Sequence, residues 1–383
     1  MIVRKIGESM ITPLGFSVEE NFQAVLEMRS ALRLYEHCWN MPFPCQLSLI
    51  PDDLLEAAFQ EEVELPRLPS PACTRFEKLS LLSAVKAVRQ SGIDPKSERV
   101  LFVLSSTKGN VSLLSEKTVD MQRVTPAHTA QLLADYFGNP NTPITVSNAC
   151  ISGLCAQMEA YRCLLSGQYD AAVVVGADAL SPFIVAGFQS LRALSVEQCH
   201  PFSDSRKGLN LGEAAAAVVW EAAEDYALDT SWKMMAAAVR NDANHISGPS
   251  RTGEGSYRAL QAVLQRSGLS AKDLACLNVH GTATLYNDEM EAVAISRADL
   301  ASVPVNALKG YYGHTLGAAG VLEVLLTMCA LDHGLVPATR GFEGLGVSVP
   351  LQVSAETMKT SQRSFVKLLS GFGGCNAAAA FTR

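Results

Sequence analysis

Cys150 has the clearest chemical potential of any residue in this chain. It closes the run Ile144-Thr-Val-Ser-Asn-Ala-Cys150, which passes into Ser152-Gly-Leu-Cys-Ala156 and a long amphipathic stretch. That pattern predicts a strand, a turn of small polar residues and a helix, with Cys150 at the junction. A thiol beside the unpaired N–H groups of a helix start feels the positive end of the macrodipole, and both favour the nucleophilic thiolate. Free cysteine is also among the most buried residue types, so Cys150 read alone is equally a packed core residue. Two of the seven histidines stand in comparable settings. His280 follows a short apolar strand, Leu277-Asn-Val, and heads His280-Gly-Thr-Ala-Thr284; His314 lies in Gly313-His-Thr-Leu-Gly-Ala-Ala-Gly320, at a helix start. A histidine at the C-terminal end of a strand points to the crevice where α/β sheets bind ligands. A thiol with two imidazoles is a nucleophile with its acid–base partners.

The elements that must position these residues alternate between strand and helix. Residues 1–70 read as irregular, with a turn at Thr12-Pro-Leu-Gly15, a helix over Val18–Arg29, and loops and short pieces in the proline-rich stretch from Arg33 to Pro71. Phe76–Ser91 is a helix by the spacing of Leu79, Leu82, Val85 and Val88, and Gly92 stops it. Arg99–Leu104 is a buried strand, and Thr125–Phe137 is a helix. The helix after Cys150 turns Leu154, Met158, Tyr161 and Leu165 inward, and Ala171–Gly176 is a strand buried on both faces. Such strand–helix–strand units belong to parallel or mixed sheets with helices on both faces. The second half repeats the scheme: Val303–Leu308, the turn Lys309–His314, a helix over Leu316–Leu331, the strand Phe365–Leu369, the turn Ser370–Asn376 and a return strand Ala377–Phe381. The repetition suggests an internal duplication. The charged segment Glu221–Lys233 is its natural divide, giving halves of residues 1–228, with the cysteine, and 229–383, with the two histidines.

Composition narrows the function classes. The 383 residues are 48% hydrophobic and 18% charged, which suits a large packed core and not disorder. The net charge of −7, with no basic block, argues against nucleic-acid binding. The apolar runs Ala214–Trp220 and Val324–Leu331 are too short to span a bilayer, and the charged Met1–Gly7 does not resemble a secretory signal. A cytoplasmic protein is expected. Its ten cysteines include no Cys-x-x-Cys pair and match no common zinc framework, so neither a disulfide scaffold nor a metal site is expected.

Asn148-Ala-Cys150, His280-Gly-Thr-Ala-Thr284, Lys309-x-x-x-Gly-His314 and Gly371-Phe-Gly-Gly-Cys-Asn376 resemble the motifs of the elongating β-ketoacyl–acyl carrier protein synthases, condensing enzymes of the thiolase superfamily. The block His200–Gly208 with Leu211-Gly-Glu213 is similar to a further block of that family. The motifs occur in family order over about residues 99–383, and Thr12–Gly15 extends the likeness weakly to the N-terminus. The resemblance implies an α/β thiolase-like fold of five layers, α-β-α-β-α, with two pseudo-repeated halves. It implies a decarboxylative Claisen condensation in fatty-acid or polyketide biosynthesis. Cys150 would carry the acyl chain. His280 and His314 would donate to the malonyl thioester oxygen, and the N–H groups of Cys150 and Phe372 would form the oxyanion hole. Lys309 and Glu323 would order the site, Thr282 and Thr284 would bind the pantetheine arm, and Ser370 and Phe372 would shape the acyl pocket. No cofactor is implied, because the phosphopantetheine arrives on the partner acyl carrier protein. A dimer is implied, with an identical chain or a chain-length-factor paralogue, and Arg75, Lys78, Arg206 and Lys207 are candidates for docking the carrier.

Three departures bear on substrate. Ser370 stands where fatty-acid synthases of the family often carry a second phenylalanine, Leu285 replaces the proline usual after Thr-x-Thr, and Cys375 replaces a threonine. They leave the chemistry intact and point to a polyene or aryl polyene type of chain. The rivals are a thiolase, whose second cysteine would precede its glycines where Cys375 follows them; a chain-initiating synthase, which would have asparagine in place of His314; and a chain-length-factor subunit, which would lack Cys150. A plain cysteine hydrolase would leave His314 and Lys309 unexplained.

Overall fold

The computed structural model describes residues 1–64, 72–224, 229–242 and 244–383. Ten strands form one continuous ladder: β1 (Ile2–Ile11), β2 (Val100–Ser105), β3 (Ile144–Val146), β4 (Ala171–Asp178), β5 (Ala214–Ala223), β6 (Lys233–Asn241), β7 (Leu274–Asn278), β8 (Val305–Asn306), β9 (Ser364–Gly371) and β10 (Cys375–Thr382). Their order is β8-β7-β9-β10-β6-β1-β5-β4-β2-β3. The ladder is two sheets joined at a seam, because β1 meets β6 only at Arg4 opposite Lys233. Within each sheet of five, the order is third, second, fourth, fifth, first. In both, the two outer pairings are parallel and the two nearest the seam antiparallel. The duplication suggested by the sequence is thus present in strand order and strand sense. The expected division after residue 228 ends a stretch, 225–228, that lies outside the described residues.

Strand alternation sorts the layers. Along β5, Ala214, Ala216, Val218 and Trp220 face a central core, whereas Ala215, Ala217 and Val219 face an outer one. The central core encloses the helices Ser152–Leu165 and Ala319–Asp332. The outer core of the first sheet is covered by Arg75–Ser91 and Pro126–Phe137, that of the second by Glu254–Ser267 and Leu285–Arg297. This is the five-layer α-β-α-β-α arrangement.

Two expectations need correction. The first 70 residues are not irregular throughout. Ile2–Ile11 is a ten-residue strand, and Asp52–Glu62 is a helix. Charges hide the strand: Arg4 and Lys5 sit at its seam end, paired with Glu221 and Glu8, and a bulge between Lys5 and Gly7 breaks the alternation. In the Ser152–Leu165 helix, Leu164 is buried and Leu165 is 40% exposed, so the inward face runs through Leu154, Met158 and Leu164. Nearby, Thr125 caps Pro126–Phe137 with its side chain, and Gly138 ends that helix in a left-handed turn.

The two central helices touch backbone to backbone. A Cβ at Gly320 would lie 2.2 Å from Leu154 N, and one at Gly153 would lie 2.7 Å from Gly317 O. Neither partner is a side chain that can move aside. Gly320→Ala is therefore expected to destabilise the fold by about 1–3 kcal/mol or more. Gly187→Ala, in a helix with nothing within 4 Å of the new Cβ, should be neutral or slightly stabilising. Thermal melts of the two variants check this; equal melting temperatures would contradict the close contact.

Candidate active site

The site is assembled around that helix contact. β3 ends in a turn where Ala149 holds φ at +44°, a left-handed conformation costly for a residue with a Cβ, at about 1–3 kcal/mol. Ser152 Oγ staples the turn, accepting from Asn148 N at 2.7 Å and donating to Ala149 O at 2.6 Å. Gly371 must lack a side chain, since a Cβ there would meet Cys375 Sγ at 2.8 Å and Cys150 N at 3.1 Å. This closeness lets the Phe372 N–H point at the Cys150 thiol.

The structure brings Cys150, His280 and His314 together. The thiol sulfur and one ring nitrogen of each histidine lie within 4.8 Å of one another, and all three residues are buried. The imidazoles meet edge to face at 5.1 Å, and Phe188 stands between His314 (6.4 Å) and Phe372 (5.6 Å). They line a cavity of about 470 Å³ that also includes Thr282, Thr284, Ser370 and Phe372. Thr282 and Thr284 share a 2.9 Å hydrogen bond.

His314 is held on both sides. Its N–H donates to Asn210 O at 2.7 Å and its carbonyl accepts from Gly212 N at 3.0 Å, so the Leu211-Gly-Glu213 block brackets it. Gly212 tolerates no side chain, with Tyr312 O only 1.9 Å from a built Cβ. His314 Nδ1 accepts the Leu316 N–H at 3.3 Å, which leaves the proton on Nε2. That Nε2 is buried without a partner among the described residues, as is Nδ1 of His280. The His280 backbone is fixed too: Glu291 accepts from His280 N at 2.7 Å and Gly281 N at 2.8 Å, and Lys309 Nζ donates to His280 O at 2.6 Å. Glu323, 2% exposed, accepts from Lys309 at 2.9 Å and from Lys367.

Burial sets the charge states. It pushes the Cys150 thiol up to about 12; Cys375 adds to this, against the pull of Lys309, Lys108 and the Phe372 N–H. The expected bias toward thiolate is thus outweighed by desolvation, because the helix begins only at Ser152 and the sulfur is shut away from water. Burial, then Lys309, holds both imidazoles well below their ordinary value, so they are neutral. Burial also raises Glu291 to about 7. For Glu323 burial acts upward too, but Lys309 and Lys367 win and keep it ionised.

Sequence reasoning missed Lys367, Glu291, Asp288 and Phe188. A lone lysine inside the apolar run Phe365–Leu369 was the available signal, since a charge in a buried strand needs a partner. The docking patch needs correction. Arg75 is paired with Asp52 and Glu213, Lys78 with Glu56, and Arg206 is buried and donates to Ser203 O and Gly346 O. Only Lys207 remains exposed.

A thiol near 12 has a visible consequence. Alkylation of Cys150 by iodoacetamide should rise about tenfold per pH unit from about pH 7 to pH 10 without a plateau. Peptide mass spectrometry of the labelled protein measures this; a plateau below about pH 8 would show a resting thiolate.

The profile of the β-ketoacyl synthase N-terminal domain matches residues 3–226, and that of the C-terminal domain matches residues 233–343. The 3-oxoacyl-(acyl-carrier-protein) synthase 2 of Vibrio cholerae is 28% identical over 417 residues, covering 98% of either chain. Two solved structures share the fold over the whole chain: a ketosynthase in complex with its chain length factor from Xenorhabdus doucetiae (TM-score 0.85, 24% identity, 98% of that chain covered) and the ishigamide ketosynthase/chain length factor (TM-score 0.86, 23% identity, 98% of that chain covered). The chain belongs to the β-ketoacyl synthase family, as an acyltransferase that performs the condensing step of fatty-acid or polyketide biosynthesis.

Proposed function

We propose that Cys150 is the acyl acceptor and that His280 and His314 serve the decarboxylation of a malonyl thioester. The observation that carries this is the buried triangle of one thiol and two neutral imidazoles at a cavity wall. In the first half-reaction the Cys150 sulfur attacks the thioester carbonyl carbon. Its proton passes to a neighbouring imidazole and returns to the departing pantetheine thiolate. The N–H groups of Cys150 and Phe372 hold the oxyanion, a role supported by the Phe372 N–H already facing the sulfur. In the second, malonyl thioester loses carbon dioxide as negative charge builds on its thioester oxygen. His314 Nε2–H is an unspent donor for that oxygen, and His280 is its partner. The enolate carbon then attacks the acyl-Cys150 carbonyl, forms the new C–C bond and expels Cys150 as the thiolate, which takes up a proton from water to return to the resting thiol. Lys309 and Glu323 order the site, Thr282 and Thr284 take the pantetheine arm, and Ser370 with Phe372 lines the acyl pocket.

The substrate carrier is an acyl carrier protein, and the chain acts in the cytoplasm as a dimer. Among the described residues no helix is long and apolar enough to cross a membrane. Support for a dimer comes from β3, an edge strand that pairs on one side only among the described residues and leads straight into the Cys150 turn. The two functional halves are residues 1–228 and 229–383. The Xenorhabdus doucetiae ketosynthase is solved with a chain length factor, which makes a paralogous partner the alternative to an identical one. The presence of Cys150 favours the catalytic member of such a pair. The thiolase reading loses support because Cys375 Sγ donates to Phe372 O at 3.3 Å and does not line the cavity.

Intact-mass spectrometry after incubation with a panel of acyl-carrier thioesters should show one acyl adduct, lost in Cys150→Ala. His314→Ala and His280→Ala should each lower malonyl-carrier decarboxylation by on the order of 10²–10⁴ while Cys150 still acquires an acyl group. An adduct that survives Cys150→Ala, or undiminished decarboxylation in both histidine variants, would overturn the assignment.

A further inference from the structure

Lys367 is a charge where the fold should carry none. It lies in the middle of β9, fully buried, on the strand face that Phe365 and Leu369 turn to the central core, while its neighbours Val366 and Leu368 face the outer one. Its Nζ donates to Glu323 Oε2 and, at 3.1 Å, to Val279 O. Lys309 makes the matching pair of contacts, to Glu323 Oε1 at 2.9 Å and to His280 O at 2.6 Å. Two ammonium groups thus straddle one carboxylate and hold the carbonyls of two consecutive residues, the second being His280 itself. One carboxylate balances one ammonium. Glu291, the next acid, is spent on the His280 and Gly281 N–H groups. Burying an ammonium without full compensation is expensive, so a second lysine here needs a reason beyond packing.

We propose that Lys367 is a positioning residue for the decarboxylation step, clamping the Val279–His280 backbone with Lys309 so that the His280 ring keeps its place beside His314. The inference rests on the reading of those histidines as neutral hydrogen-bond donors. Burial is the main reason both rings stay uncharged, and Lys367, itself lowered to about 8 by burial, adds a smaller repulsion behind Lys309. Lys367 acts in this sense on both rings. The other groups facing them are Cys150 across the cavity, Lys309 and Glu323 behind, and Glu291 and Asp288 from the Leu285–Arg297 helix. Asp178, on β4, accepts the N–H of Gly317 on the far side of the His314 turn.

Without the Lys367 tie the Val279–His280 backbone loses one of its two lysine anchors, and the step that uses the His280 ring slows first. Lys367→Met removes charge and hydrogen bond together; Lys367→Gln removes the charge and keeps an amide donor for Val279 O. Glu323 retains Lys309 in either variant, so no buried carboxylate is left alone, and melting curves report whether each folds. Malonyl-carrier decarboxylation should fall by about tenfold or more in Lys367→Met, with kcat lowered and KM little changed, and should be partly restored in Lys367→Gln. Acyl loading of Cys150 should change less. Decarboxylation unchanged in Lys367→Met, or lowered no more than acyl loading in both variants, would overturn the proposal and leave Lys367 a structural tie. If the wild-type chain fails to decarboxylate, or His314→Ala leaves its rate intact, the histidine reading itself falls and this inference with it.

Discussion

The backbone contact between the two central helices is the constraint on which the site depends. Gly153 stands three residues after Cys150, and Gly317 three residues after His314. Where these glycines meet, no side chain separates the helices, so the turns at their N-terminal ends are brought as close as two polypeptides can come. Gln157 Nε2 adds a cross-helix bond to Gly320 O at 2.7 Å. A contact made of main chain is stiffer than one made of rotatable side chains, and a triangle of reactive atoms within 4.8 Å needs that stiffness. It also explains why the thiol and the imidazoles come from opposite halves of a duplicated fold: equivalent helices from the two halves touch here, in the central layer between the sheets.

The same closeness removes water, and with it the ordinary charge states. A buried thiol rises and buried imidazoles fall, so the three groups rest uncharged. Formal charge lies behind them, in Glu323 with Lys309 and Lys367. In the proposed reaction, charge therefore appears at the thiol and the thioester oxygen only as the reaction proceeds, where unspent N–H donors are at hand. The backbone is arranged for the same end. Ala149 takes a strained φ in the turn that sets Cys150 against the cavity, and Gly371 supplies the clearance beside the Cys150 N–H.

Residues whose chemistry demands a particular type at a particular turn were legible in the sequence. Cys150, His280 and His314 each follow an apolar run, and the motifs around them fixed both the family and the five-layer fold. Less could be read where a residue's role arises from a distant partner. Lys367 and Glu323 are 44 positions apart, and neither announces the other. Glu291 and Asp288 look like the outer face of an ordinary helix, yet they turn inward to take the N–H groups of His280, Gly281 and Thr282. β1 escaped because its charged end lies at the seam, where the strand is paired on both sides but is not packed on both faces. The proposed docking arginine Arg75 failed for the opposite reason: a surface-type residue had become the partner of buried Glu213.

Ser370 shows how such a distant partnership alters a substrate argument. A serine in an acyl pocket suggests at first a polar wall and a hydroxylated or oxidised chain. Its hydroxyl, however, donates to Asn376 Oδ1 at 2.9 Å, and Ser256 Oγ donates to the same oxygen at 2.7 Å. The group is turned inward and spent. Replacing a phenylalanine by Ser370 therefore changes the room available beside Cys150 far more than its polarity. The walls that remain near the thiol are aromatic, with Phe188 and Phe372 at 5.6 Å and the edge of His314 beyond. Under the proposed reading of this cavity, two aromatic rings beside a small residue would accept a rigid conjugated or aryl chain, which gains from stacking against them.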